Sequence, residues 1–232
     1  MFNRQILTEF LATRLVAGAG TFYQGIEKLL PGTILTWMVE TGLRSRRYWQ
    51  LPRSLEPEPP APLERARLVR QDLEEAIQYH LVSDLPVGLF LCGGIDSSAI
   101  DALMARRTGG ALHSFAVGFK ERQCDELRYA RLAAGAIARH HEVTLTADAF
   151  FAALPRLIWH EDEPIAFPSS VALYFLARLA HAHVKVVLTG EGADELFLGY
   201  NRYRVAAWNE RLGRPYHGAI PEALREQVRH GV

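Results

Sequence analysis

At 232 residues, 49% of them apolar and with 26 basic against 26 acidic side chains, the chain has the make-up of a soluble globular protein able to bury a substantial core. The even charge gives no electrostatic reason for a nucleic-acid partner, and the apolar runs are too short to cross a bilayer. Cys92 and Cys124 are too few for a disulfide framework or a four-ligand zinc cluster, and Met1-Phe2-Asn3-Arg4-Gln5 lacks the apolar stretch of a secretion signal, so a cytoplasmic location is expected.

In chain order, Ile6, Phe10, Leu11 and Leu15 at helical spacing predict a helix from Ile6 to about Val16. Pro31-Gly32 signals a turn, Thr33 to Val39 is rich in strand formers, and a second short strand is expected over Arg47-Tyr48-Trp49. Leu55 to Pro62 holds four prolines in eight residues and reads as a semi-rigid linker. A domain boundary is therefore expected at 55–62, between a small β-containing segment (1–54) and a larger domain (63–232).

Beyond the linker, Ala66, Val69, Leu73, Ala76 and Ile77 predict an amphipathic helix ending near His80. Short apolar runs at Val87 to Leu91, Phe115 to Phe119, His141 to Leu145 and Val184 to Leu188 predict strands, the first and last buried on both faces. Helices are expected between them over Ala99 to Arg106, Leu127 to Arg139, Phe150 to Trp159 and Val171 to His181, with Pro155 breaking the third. This alternation predicts an α/β fold: an open parallel sheet with helices on both faces.

Ligands of such sheets bind beyond the carboxyl ends of the strands. The first turn there is Cys92-Gly93-Gly94-Ile95-Asp96-Ser97-Ser98. Paired glycines allow close backbone approach, and free amides at the next helix start suit an anion. Asp96 would repel a phosphate unless it holds a magnesium ion that bridges to the phosphate oxygens. No lysine completes a Walker loop, and Ser97 stands where the dinucleotide fingerprint needs its third glycine. A plain Gly-Gly turn with a capping Asp or Ser is the bland alternative.

The second turn, Thr189-Gly190-Glu191-Gly192-Ala193-Asp194-Glu195, also follows an apolar strand. Asp194 and Glu195 suit a helix N-terminus, whereas Glu191 projects from between two glycines. Other candidates are weaker. His160-Glu161 begins a zinc motif whose second histidine would fall on Pro164, and the adjacent His140 and His141 point apart on a strand.

The first turn resembles the Ser-Gly-Gly-x-Asp-Ser signature of the PP-loop ATP pyrophosphatases, with Cys92 in the serine position. The second turn, with Gly199-Tyr200-x-Arg202-Tyr203-Arg204, resembles a block of the glutamine-dependent asparagine synthetases. Phe115-Ala116-Val117-Gly118-Phe119, Asp125-Glu126-x-x-Tyr129-Ala130, His140-His141-Glu142 and Asp162-Glu163-Pro164-Ile165-Ala166 resemble that family's intervening blocks. Gly25-Ile26-x-Lys28-Leu29-x-Pro31-Gly32 and Tyr48-Trp49 resemble the end of its glutaminase domain.

The resemblance implies a PP-loop fold of the adenine nucleotide alpha hydrolase kind and asparagine synthesis from aspartate. Aspartate would attack ATP to give β-aspartyl-AMP and pyrophosphate, and ammonia, free or from glutamine, would then displace AMP. By position, Leu91, Gly93, Gly94, Asp96, Ser97, Ser98, Val117, Thr189 and Gly190 would bind ATP. Asp96 and Asp194 would take Mg2+, and Glu191 would be the base for ammonia. The family's cysteine nucleophile follows the initiator methionine, where this chain has Phe2, and its later lysine has no counterpart among Lys28, Lys120 and Lys185. The chain is therefore expected to be an incomplete synthetase preceded by the remnant of a glutaminase domain. It would either work with a separately encoded glutaminase or C-terminal segment or bind ATP without turnover.

Overall fold

The computed structural model describes residues 1–52, 60–109, 112–120, 126–135 and 139–219, with side chains as far as Gly213. Most of the expected linker, 55–59, lies outside the described residues, as do Cys124 and Asp125. The elements run α1 (Arg4–Thr13), β1 (Thr33–Met38), β2 (Gly42–Arg47), α2 (Pro62–His80), β3 (Val87–Phe90), α3 (Ile95–Thr108) and β4 (His113–Phe119). They continue with α4 (Leu127–Ala134), β5 (Arg139–Leu145), α5 (Ala147–Glu161), α6 (Ser169–His181), β6 (Val186–Leu188), α7 (Ala193–Phe197) and α8 (Asn201–Ala219). No helix among the described residues is long and apolar enough to cross a membrane.

Two sheets form: the antiparallel hairpin β1-β2 and a four-stranded sheet in the order β5-β4-β3-β6. In the larger one β3 pairs in parallel with both β4 and β6, Gly88 lying beside His113 on one side and Val187 on the other. Helices connect successive strands of that sheet, as the sequence alternation requires. The α/β class and the parallel sheet agree with the sequence pattern.

The chain divides into two compact units. One comprises Met1–Val82, Val117–Asp125 and Glu142–Ala182. Its α1 starts from Asn3, whose side chain accepts the Gln5 N–H, and ends at Arg14 in the left-handed conformation. Phe22 packs edge-on against Phe10 and stacks on Phe2. Ala153, Leu157 and Val171 form an apolar cluster that joins α5 to α6, with Phe150, Leu154, Tyr174 and Phe175 packed around it. Lys28 pairs with Glu163 at 2.8 Å.

The other unit comprises Ser83–Ala116, Glu126–His141 and His183–Val232. Its core is Leu89, Leu91, Met104, Leu112 and Phe115, each 1% exposed or less. Three histidines from separate segments, His113, His141 and His183, gather beside Phe115. Burial, then the nearby charges, holds His113 and His141 below the ordinary imidazole range.

Three expectations need correction. The second strand occupies Gly42–Arg47, because Gly42 at φ +67° closes a three-residue turn and sets Met38 opposite itself. Tyr48 and Trp49 follow the strand and donate their N–H groups to the Gly32 carbonyl at 2.7 and 3.2 Å. The helix from Leu127 stops at Ala134, and Arg139 already belongs to β5. Pro155 does not break α5, which runs unbroken from Ala147 to Glu161. Pro155 and Phe151, four residues before it, are both exposed, so the carbonyl that loses its donor lies on the watered side of the helix.

Candidate functional site

The first turn leaves β3 at Phe90 and enters α3 at Ile95. Leu91 is buried and donates its N–H to the Phe115 carbonyl at 2.8 Å, which anchors the turn to β4. Gly93 has φ +79°, and a Cβ on it would fall 2.5 Å from backbone atoms of Tyr129 and Ala130 at the start of α4. Glycine is thus required there both for conformation and for space. Gly94 is the N-cap of α3, and no side chain caps the helix. The N–H groups of Ile95, Asp96 and Ser97 therefore lack intrahelical acceptors, the first such bond being Ser98 N–H to the Gly94 carbonyl at 3.0 Å.

Cys92 supplies much of the turn's internal bonding. Its sulfur accepts the Gly94 N–H at 3.4 Å and lies 3.1 Å from the Ser97 hydroxyl. The Ser97 Oγ also accepts the Cys92 N–H at 3.3 Å and lies 3.3 Å from the Gly94 carbonyl, to which it can donate. Ser97 is 2% exposed, and its hydroxyl bonds within the turn. Ser98 is half-buried, and Asp96 is exposed in the first turn of α3.

The second turn leaves β6 at Leu188 and enters α7 at Ala193. Thr189 Oγ1 accepts the Glu191 N–H at 3.4 Å. Gly192 at φ +92° turns the chain into α7. Glu191 is exposed, whereas Asp194 is half-buried, its carboxylate lying where a side chain on Gly199 would be. Gly199 in turn donates its N–H to the Asp194 carbonyl at 3.0 Å. Tyr200 donates its hydroxyl to Glu195 at 2.9 Å.

The two turns lie side by side. A Cβ on Gly190 would stand 3.1 Å from the Ser97 nitrogen and 3.4 Å from the Asp96 Cβ. The structure therefore brings Asp96 and Ser97 next to Gly190, with Thr189 and Glu191 flanking that glycine in sequence. Val117 is half-buried on β4 and belongs to the other unit.

Chemically, an uncapped helix start beside acidic side chains can hold an anion together with a divalent cation. Asp96 and Asp194 offer hard oxygen ligands of the type Mg2+ takes, so the residues present fit the ion the sequence suggested. Sequence reasoning missed Asp101, which lies on α3 at 3% exposure with an unpartnered Oδ1, and whose carboxyl burial pushes up to about 6. A signal for it exists: Ser97, Asp101 and Met104 share one buried face at helical spacing, with a charged residue in its middle.

Comparison with known proteins agrees with the family resemblance. The chain is 51% identical over 157 residues to a putative glutamine-hydrolysing asparagine synthetase of Mycobacterium tuberculosis, covering 67% of this chain and 23% of that protein. It is 31% identical over 229 residues to glutamine-hydrolysing asparagine synthetase 1 of Bacillus subtilis, covering 98% of this chain and 35% of that one. The chain thus spans about a quarter to a third of the length of these relatives. An NH3-dependent NAD synthetase of Campylobacter jejuni overlaps 58% of this chain and 60% of its own, at a TM-score of 0.40 and 19% identity, too slight a likeness to carry an argument. The family model described as asparagine synthase matches residues 68–231, most of the chain, and the protein belongs to the asparagine synthase family.

Proposed function

We propose that this chain carries the ATP-binding part of an ATP-dependent amide ligase that makes asparagine from aspartate. Its nearest support is the contact of the two turns, Gly190 lying against Ser97 and Asp96. In this reading Gly93, Gly94, Ser97 and Ser98 hold the pyrophosphate part of ATP at the start of α3, where the Ser97 amide has no intrahelical acceptor. Leu91, Thr189 and Gly190 line the nucleoside side. Asp96 and Asp194 hold Mg2+, which supplies charge neutralisation at the phosphates when bound.

The aspartate side-chain carboxylate attacks the α-phosphorus, and the bond to pyrophosphate breaks. Ammonia then attacks the acyl carbon, Glu191 takes a proton from the nitrogen, and AMP leaves. These residues mainly align reactants and offset charge, which is where catalysis at phosphorus is expected to lie. By the same resemblance, 1–54 is the end of a glutaminase domain, 55–62 a linker and 63–232 the synthetase part, with ammonia, free or from glutamine, as the nitrogen source.

A second reading, ATP binding without turnover, is favoured by Cys92. Its thiol is a weak donor in place of a hydroxyl and is already occupied within the turn. One experiment separates the two. Pyrophosphate release is followed with ATP, Mg2+, aspartate and ammonium, beside direct ATP titration. Release that Asp96→Asn abolishes supports the ligase; binding without release supports the second reading; neither binding nor release would sink both.

A further inference from the structure

The amino ends of the sheet strands hold a cluster of another chemistry. His113 opens β4, His141 lies near the start of β5, and His183 precedes β6. One ring nitrogen from each lies within 4.8 Å of the others. His113 Nδ1 faces His141 Nε2 at 3.0 Å, with the two rings 1° from parallel. His183 stacks on His141 with ring centres 4.0 Å apart.

The fold makes room for this grouping. Between β4 and β6 lies β3, whose residue beside His113 is Gly88. A Cβ on Gly88 would stand 2.8 Å from the Phe115 ring and 3.2 Å from Val184. With no side chain there, Phe115 spreads over β3 and the imidazoles of its neighbours come together beside it. His140 takes no part, since its Nδ1 is 2.8 Å from the Ser114 hydroxyl. Exposed His183 and half-buried His113 and His141 leave the cluster open to solvent.

We propose that His113, His141 and His183 form a binding site for one divalent transition ion of the zinc class. Three neutral imidazoles with an open fourth position match the donor set and ligand number of such ions. Zinc–nitrogen bonds of about 2.0–2.1 Å imply neighbouring ligand nitrogens roughly 3.3 Å apart in a tetrahedral site. The pair His113–His141 is already near that spacing, and a small turn of exposed His183 brings in the third. The ion would join β4, β5 and the lead into β6 at the strand ends opposite the two acidic turns.

One neighbour opposes it. Arg139 lies 3.4 Å from His113 Nε2, and its charge repels a cation. Ligation through Nδ1 leaves the His113 proton on Nε2, so exposed Arg139 must swing away. Removing Arg139 should therefore tighten binding, which a merely structural histidine stack would not show.

The test is calorimetric titration of the 232-residue chain with Zn2+, with Co2+ absorption as a further readout and circular dichroism to check folding. Groups that only hydrogen-bond to a metal ligand are worth about 10–100-fold in affinity, so loss of one of three ligands should cost at least about 100-fold. The expectation is one equivalent bound, weakened by that much in His183→Ala and His113→Gln, tightened in Arg139→Gln, and unchanged in His140→Ala and Asp96→Asn. No Zn2+ binding, binding that survives both ligand variants, or binding lost with Asp96→Asn instead would overturn the site.

Discussion

Gly190 lies against Ser97 so closely that a methyl group on the glycine would stand 3.1 Å from the serine nitrogen. That nitrogen belongs to the first turn of α3, whose amides have no intrahelical acceptors. A strand end and a helix start, nearly a hundred positions apart in sequence, thus share one small surface. Asp96 lies on the same side, with its Cβ 3.4 Å from the same point.

Gly190→Ala follows directly. The methyl group would press on helix backbone, which retreats less readily than a side chain, and overpacking of this kind costs about 1–3 kcal/mol. ATP affinity should fall on the order of tenfold, equivalent to about 1.4 kcal/mol, with little change in far-ultraviolet circular dichroism. Unchanged affinity in an ATP titration would mean that the contact does not shape the nucleotide site.

Gly93→Ala should act on stability instead. It adds a left-handed penalty of about 1–2 kcal/mol to overpacking of about 1–3 kcal/mol, for a total of about 2–5 kcal/mol. Gly109 is the control, since it also has positive φ but opens onto free space. Gly109→Ala should lose only the conformational part. Urea unfolding of the two variants measures the difference, and equal losses would show that the approach of α4 to Gly93 carries no cost.

How much of this was legible in the sequence depends on how local each signal is. Both turns could be read because a short apolar run, then glycines, then acidic residues lie within about a dozen positions. Their meeting is expected from the family resemblance, which puts both turns on one ATP; the residue pattern alone does not fix the order β5-β4-β3-β6 that sets β6 beside β3. Order along the chain says as little about His113, His141 and His183, which come from three segments and meet only in the folded chain. Pro155 misled because a proline penalises a helix but does not forbid one whose affected carbonyl can reach water. The bonds that Ser97 makes could not be read either: a hydroxyl beside a glycine turn suits a ligand and the turn equally, and its Oγ bonds to Cys92 and Gly94.

Cys92→Ser probes the departure from the family's serine. A hydroxyl can accept the Gly94 N–H and pair with Ser97 as the sulfur does, so the turn should keep its form. It is also the stronger donor, and a net hydrogen bond is worth about 0.5–1.5 kcal/mol. ATP or pyrophosphate should therefore bind about 2- to 10-fold more tightly by calorimetry. In the original chain, alkylation of exposed Cys92 should be slowed by ATP with Mg2+. Weaker binding in the variant, or alkylation indifferent to nucleotide, would count against a phosphate site at this turn.

Asp101 gives the prediction with the most definite pH dependence. It is buried on α3 with Oδ1 unpartnered, and burial raises its carboxyl from 3.8 to about 6. A raised carboxyl means that the folded state holds the proton more tightly than the unfolded chain does. Its favourable contribution is complete below 3.8 and is lost as pH rises from 3.8 to about 6, above which a desolvated charge must be kept. Asp101→Asn removes the charge at nearly constant shape. It should leave stability almost unchanged at low pH and increase it by about 1–3 kcal/mol near neutrality, each tenfold change in proton affinity being worth about 1.4 kcal/mol. Urea unfolding of both chains across this range measures the gap. A gap that stays flat with pH would show that the carboxyl is not held protonated by burial, and a variant less stable at every pH would point to a partner for Asp101 in the folded chain.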